Sequence, residues 1–78
     1  VDQPRAMHLA ELAMDFADNH LRIGGTFLIK LFQGTDFDAY VRDLRRRYTK
    51  LSIRKPAASR QRSPEVYALA QGKLATMK

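Results

Sequence analysis

The 78-residue sequence predicts an α/β fold of two helices and three strands, ordered helix, strand, helix, strand, strand, with the last strand antiparallel. Three features carry this reading. Residues 26–32 are a seven-residue run of large apolar and β-branched residues with one lysine, bounded by Gly24, Gly25 and Gly34. Such a short run between glycines reads as a strand buried on both faces, as in sheets covered by helices on either side. Two flanking segments repeat apolar residues every three or four positions, the helical period. Two further short runs follow with no helical segment between them, so a hairpin-like antiparallel return is expected there.

Residues 3–22 form the first helix. Asp2 can cap it, and Pro4 suits its first turn because a proline there removes no intrahelical hydrogen bond. Leu9, Leu12, Ala13, Phe16 and Ala17 make one apolar stripe, with Glu11, Asp15, Asp18 and Arg22 off it. Gly24 and Gly25 stop the helix, because glycine takes the left-handed conformation without strain. His8 and His20 are isolated and read as surface or boundary residues.

In the strand at 26–32, alternation puts Lys30 on one face with Leu28 and Phe32, and Phe27, Ile29 and Leu31 on the other. An ammonium held away from water needs a partner. Two readings of Lys30 stand open. Its stem can lie on apolar surface with its head reaching solvent. Alternatively it is functional, because open α/β sheets place their sites at the carboxyl ends of their strands.

The turn at 33–35 leads to a second helix, capped by Thr35 or Asp36. Phe37, Tyr40, Val41, Leu44 and Tyr48 are its core stripe, which favours packing over base stacking for both tyrosines. Arg45, Arg46 and Arg47 fall in its last turn, where positive charge suits the helix dipole; they can also face phosphates. Residues 49–55 alternate Leu51 and Ile53 with Lys50, Ser52 and Arg54, a half-exposed strand ended by Pro56. A loop with Arg60 and Arg62 follows, and Glu65 opens the third strand, closed by Gly72. Residues 73–78 read as a tail.

Composition narrows the function. The net charge is +6. Residues 42–62 hold nine of the fourteen basic residues and only Asp43 among the acids, which points to a polyanion partner, nucleic acid first. There is no cysteine, which excludes disulfides and thiolate metal sites, and two isolated histidines make no metal site. No apolar run has membrane-spanning length and no signal-peptide pattern opens the chain, so a cytoplasmic protein is expected. A start at Val1 suggests a processed chain or a piece of a longer one. A chain this short buries only roughly 60% of its unfolded surface, so its stability alone is expected to be marginal.

Three stretches carry a resemblance. They are Asp2, Pro4, Arg5, Ala6 and Met7; Gly24 through Gly34; and Arg54, Lys55, Pro56, Ser59, Arg60, Arg62, Ser63, Glu65, Val66 and Tyr67. Together, over about residues 1–74, they closely resemble the C-terminal part of the FtsJ/RrmJ family of bacterial ribosomal RNA large subunit methyltransferases. The resemblance implies the C-terminal portion of a Rossmann-like S-adenosylmethionine-dependent methyltransferase fold, with residues 65–71 inserted antiparallel between 26–32 and 49–55. It implies methyl transfer to a uridine ribose 2′-hydroxyl in 23S rRNA by a Lys-Asp-Lys-Glu tetrad. Lys30 matches the second lysine, which deprotonates or orients the hydroxyl, and Glu65 matches the glutamate, which holds Lys30 or the ribose. Arg45, Arg46, Arg47, Lys55, Arg60 and Arg62 are the implied RNA contacts, and 23S rRNA or the large ribosomal subunit the implied partner. The glycine-rich S-adenosylmethionine loop, the tetrad aspartate and the first lysine match nothing in this chain. Residues 1–72 are therefore expected to be the C-terminal part of one methyltransferase domain. The expected fragment has no activity alone and self-associates through an unpaired strand edge. The alternative is a free-standing basic RNA- or ribosome-binding module without catalysis.

Overall fold

The computed structural model describes residues 3–55 and 65–75. The elements are α1 (Gln3–His20), β1 (Thr26–Phe32), α2 (Phe37–Arg47), β2 (Tyr48–Arg54) and β3 (Glu65–Lys73). The sheet order is β1-β3-β2, and β3 runs antiparallel to both neighbours, as expected. The Asp2 cap, Pro56, Arg60, Arg62 and residues 76–78 lie outside the described residues.

Register defines the two sheet faces. Phe27, Ile29 and Leu31 lie beside Ala70, Ala68 and Val66, which in turn lie beside Leu51 and Ile53. This face packs under both helices, and its small central alanines let the helices approach closely. The core joins Ala10, Met14, Leu31, Tyr40, Leu44, Tyr48, Val66, Ala68 and Ala70. The opposite face carries Leu28, Lys30, Phe32, Glu65, Tyr67, Leu69, Ser52 and Arg54. It is open among the described residues, with Leu28 61% exposed. The expectation of a strand buried on both faces is thus corrected: β1 alternates, because α1 and α2 cover the same side of the sheet.

The stripe assigned to α1 is also corrected. Leu9, Leu12 and Phe16 are 59%, 52% and 66% exposed. Ala17 of the expected stripe is buried, but its buried companions are Ala10 and Met14, with Met7 and Leu21 packed beside them. That set repeats at spacings of three and four, an equally regular helical stripe. α1 is apolar on two faces, and the face with the smaller residues meets the sheet. Gly24 does take the left-handed conformation (φ 86°), but in the turn before β1 rather than at the helix end, where its N–H donates to the Lys73 carbonyl at 2.7 Å.

Two smaller differences follow from the strand pairing. Tyr48 is buried as expected, yet it is the first residue of β2, not the last of the helical stripe. Lys73 belongs to β3 and is only 3% exposed, so the tail starts later than expected. Gly72, at φ 74°, inserts where a Cβ would lie 2.1 Å from the Thr49 hydroxyl. Asp36 occupies the N-cap of α2 without a side-chain capping bond.

The two core tyrosines give a paired test. The Tyr40 hydroxyl donates to the Ala10 carbonyl at 2.6 Å and ties α2 to α1. The Tyr48 hydroxyl is buried with no partner among the described residues. Burial pushes both phenols above their ordinary range, with Arg47 opposing the rise at Tyr48. A net hydrogen bond stabilises by about 1 kcal/mol, and an unmet buried polar group costs about 1–3 kcal/mol. Tyr40→Phe is therefore expected to lower the melting temperature, and Tyr48→Phe to leave it unchanged or raise it. Equal losses in the two variants, measured by thermal circular dichroism, would contradict this account.

Candidate active site at the carboxyl end of β1

β1 delivers Lys30 to the open face two residues before the strand ends. β3 begins opposite that end: Phe32 pairs with Glu65, and Lys30 with Tyr67. Glu65 is thus the diagonal neighbour of Lys30, a spacing that long side chains bridge. The Lys30 Nζ lies 3.6 Å from Glu65 Oε2 and 5.8 Å from the centre of the Phe32 ring. The Lys30 side chain is 48% exposed. The solvent-reaching alternative for Lys30 is therefore what the structure shows, and the ammonium enclosed within a covered strand is not. An ion pair this exposed contributes only about 0–1 kcal/mol to stability, so its placement has to be explained otherwise.

Tyr67 and Arg54 extend the site. The register sets Lys30, Tyr67 and Arg54 in one row across β1, β3 and β2. An exposed aromatic ring between two cations is a surface suited to a nucleotide, because a base stacks on the ring while the cations meet phosphate. Sequence reasoning did not give Arg54 or Tyr67 a role. Both lie at outward positions of alternating strands, but only the pairing of β3 between its neighbours puts them beside Lys30. The first turns of α1 and α2 approach the same end; Ala6 and Met7 line a narrow crevice with Lys30, Leu31 and Phe32.

The expected RNA-contacting residues do not form one cluster. Lys55 follows Arg54 at the Lys30 end of the sheet. Arg45, Arg46 and Arg47 lie in the last turn of α2, beside the opposite end of the sheet, where Tyr48 pairs with Lys73. At about 3.3 Å per residue, the length of β2 separates them from Lys30 by roughly 20 Å. Arg47 forms an ion pair with the nearly buried Asp18 of α1, and Arg46 lies 3.6 Å from Asp43. Arg47 therefore has a structural partner, while Arg45 and Arg46 are exposed. Among the described residues no three acidic or histidine side chains group to hold a metal ion. No described helix is long and apolar enough to cross a membrane.

A sequence model of the FtsJ-like methyltransferase family matches residues 1–73. The chain is 80% identical over all 78 residues to the ribosomal RNA large subunit methyltransferase E of Stenotrophomonas maltophilia strain K279a, and spans 37% of that protein. It is 73% identical, with the same coverage, to the protein of that name in Xanthomonas euvesicatoria pv. vesicatoria. In three dimensions 96% of the chain superposes on 38% of a Plasmodium falciparum protein described as a ribosomal RNA methyltransferase, with a TM-score of 0.80 and 20% identity. That likeness shows the shared fold. The chain belongs to the FtsJ-like methyltransferase family.

Proposed function

We propose that residues 1–73, through the end of β3, are the C-terminal part of an S-adenosylmethionine-dependent methyltransferase domain. The proposed substrate is a uridine ribose 2′-hydroxyl in 23S rRNA, free or in the large ribosomal subunit, and the proposed setting is cytoplasmic. The observation that carries this reading is the Lys30–Glu65 pair at the carboxyl end of β1, with the amine exposed and reachable by a substrate. A ribose hydroxyl is a very weak acid, so it needs a base or a positive charge beside it to act as a nucleophile. Lys30 takes or orients the hydroxyl proton. Glu65 holds the Lys30 head from the neighbouring strand. Tyr67, Arg54 and Lys55 receive the RNA at the same end, and Arg60 and Arg62 are proposed as further RNA contacts on their basic charge alone. Arg45 and Arg46 reach a different part of the RNA, about one strand length away.

S-adenosylmethionine supplies an electrophilic methyl group when bound. The described residues offer no glycine-rich cradle for it: Gly34 is the single glycine in the turn between β1 and α2. Its site is therefore assigned to the part of the domain that the relatives have and this chain does not span. The 78-residue chain alone is expected to show no S-adenosylmethionine binding by calorimetry and no methyl transfer. A full-length relative carrying residues 1–78 in place of its own matching segment is expected to show both. Transfer by the isolated chain would overturn this assignment.

The outer edge of β1 is unpaired among the described residues. Such an edge recruits other strands. The isolated chain is expected to self-associate through it, and a concentration-independent monomer in sedimentation equilibrium would refute that.

One observation favours the second reading, an RNA- or ribosome-binding module without catalysis. Lys30 is half exposed, so its place in the row with Tyr67 and Arg54 also suits phosphate binding alone. The Lys30→Ala experiment discussed below separates the two.

A further inference from the structure

We infer that Phe32 is a positioning residue for Lys30, its ring face fixing the direction in which the lysine head points. The inference rests on the proposed role of Lys30. Phe32 lies two residues beyond Lys30, hence on the same face of β1, and directly opposite Glu65. Its ring centre is 5.8 Å from the Lys30 Nζ, while Glu65 Oε2 stands 3.6 Å away. The ammonium therefore has a ring and a carboxylate beside it at the mouth of the crevice formed with Ala6 and Met7.

The core does not account for this ring. Phe32 belongs neither to the buried cluster nor to the side chains packed against it, and it projects from the face opposite the helices. A leucine would fill a half-buried apolar position as well. What a phenyl ring adds is a negative face that attracts a cation. Direction matters here because a lysine has a flexible four-carbon stem and carries large rotamer entropy. A half-exposed lysine held by one carboxylate can pivot about that contact. A second, differently placed attraction restricts the pivot and raises the fraction of time the amine occupies one place. A cation–π contact at an exposed site changes such a population by about 2–5-fold.

The test uses a full-length relative carrying residues 1–78 in place of its own segment, with Phe32→Leu, Phe32→Tyr and Lys30→Ala variants. Phe32→Leu is expected to lower kcat about 2–5-fold with KM for RNA unchanged, and Phe32→Tyr, which keeps the ring face, to restore kcat. In NMR spectra of the same full-length protein, the Lys30 ε-methylene protons are expected to be shifted upfield by the ring. The shift should persist in Phe32→Tyr and vanish in Phe32→Leu. A Phe32→Leu enzyme with undiminished kcat, a Phe32→Tyr enzyme as impaired as Phe32→Leu, or an ε-methylene shift that survives loss of the ring would each overturn the inference. Full activity in Lys30→Ala would instead overturn the reading of Lys30 itself, while the NMR shifts would still decide whether the ring holds the amine.

Discussion

Lys30→Ala, made in a full-length relative carrying residues 1–78, is expected to lower methyl transfer by about 10²–10⁴-fold, the range for removing a positioned acid–base group. RNA affinity should stay nearly unchanged. The structure supplies the reasons for that split. The amine sits at the mouth of the site, half in water, with Glu65 3.6 Å away, so it contributes little to stability. Its removal leaves no buried cavity and no stranded core group. Arg54 and Lys55 remain at the same end of the sheet for phosphate contact. Lys30→Arg separates the two roles further, because arginine keeps the charge and does not give up its proton. An active arginine variant would assign Lys30 to orientation and charge, and an inactive one to proton removal. A Lys30→Ala enzyme that transfers methyl groups normally but binds RNA more weakly would favour the binding-module reading.

Leu44→Ala is expected to cost about 2–5 kcal/mol, a large share of the roughly 4–12 kcal/mol that a domain of this size has available. Leu44 is fully buried, on the face of α2 turned to the sheet. With so few other large side chains in the core, little can collapse into the space it leaves. At roughly 4–8 °C per kcal/mol, the melting temperature should fall by about 8–40 °C. Leu9→Ala and Phe16→Ala, on the exposed face of α1, are expected to change stability by less than about 0.5 kcal/mol at low protein concentration. Thermal denaturation followed by circular dichroism checks the contrast. A Leu9→Ala loss as large as that of Leu44→Ala would mean that α1 packs through the other stripe.

That contrast marks where the sequence was legible and where it was not. The strand at 26–32 was placed to the residue, because glycines bound it and its composition is unambiguous. The element order and the antiparallel direction of β3 were also legible, and its insertion between β1 and β2 was legible through the resemblance alone. The face of α1 was not. Leu9, Leu12, Ala13, Phe16 and Ala17 form one helical stripe, and Met7, Ala10, Met14, Ala17 and Leu21 form another, with only Ala17 common to both. Hydropathy favours the larger residues, but close packing on a sheet favours the smaller ones. Sequence alone also could not show that both helices cover one side of the sheet, and so the strand reads as buried on both faces and the two readings of Lys30 stay open.

The site followed the same pattern. The resemblance alone links Lys30 with Glu65 in the sequence, and the diagonal register across β1 and β3 brings the two side chains together. Arg45, Arg46 and Arg47 looked like neighbours of Lys55 because they are close in sequence, yet a whole strand intervenes. Arg47, moreover, is committed to Asp18. Phe32, Tyr67 and Arg54 drew no role, since nothing in a single strand shows which residues will stand beside it.

The most direct test of the central claim, that Lys30 and Glu65 act on a ribose hydroxyl, is to locate the methyl group in the product. The full-length relative carrying residues 1–78 would be incubated with 23S rRNA and a labelled methyl donor, and the RNA then cleaved with alkali. A methylated 2′-oxygen cannot attack the adjacent phosphate. The account therefore predicts label at a uridine whose 3′ phosphodiester survives alkali, and no label when Lys30 is alanine. Label on a base, or at an alkali-sensitive position, would contradict it.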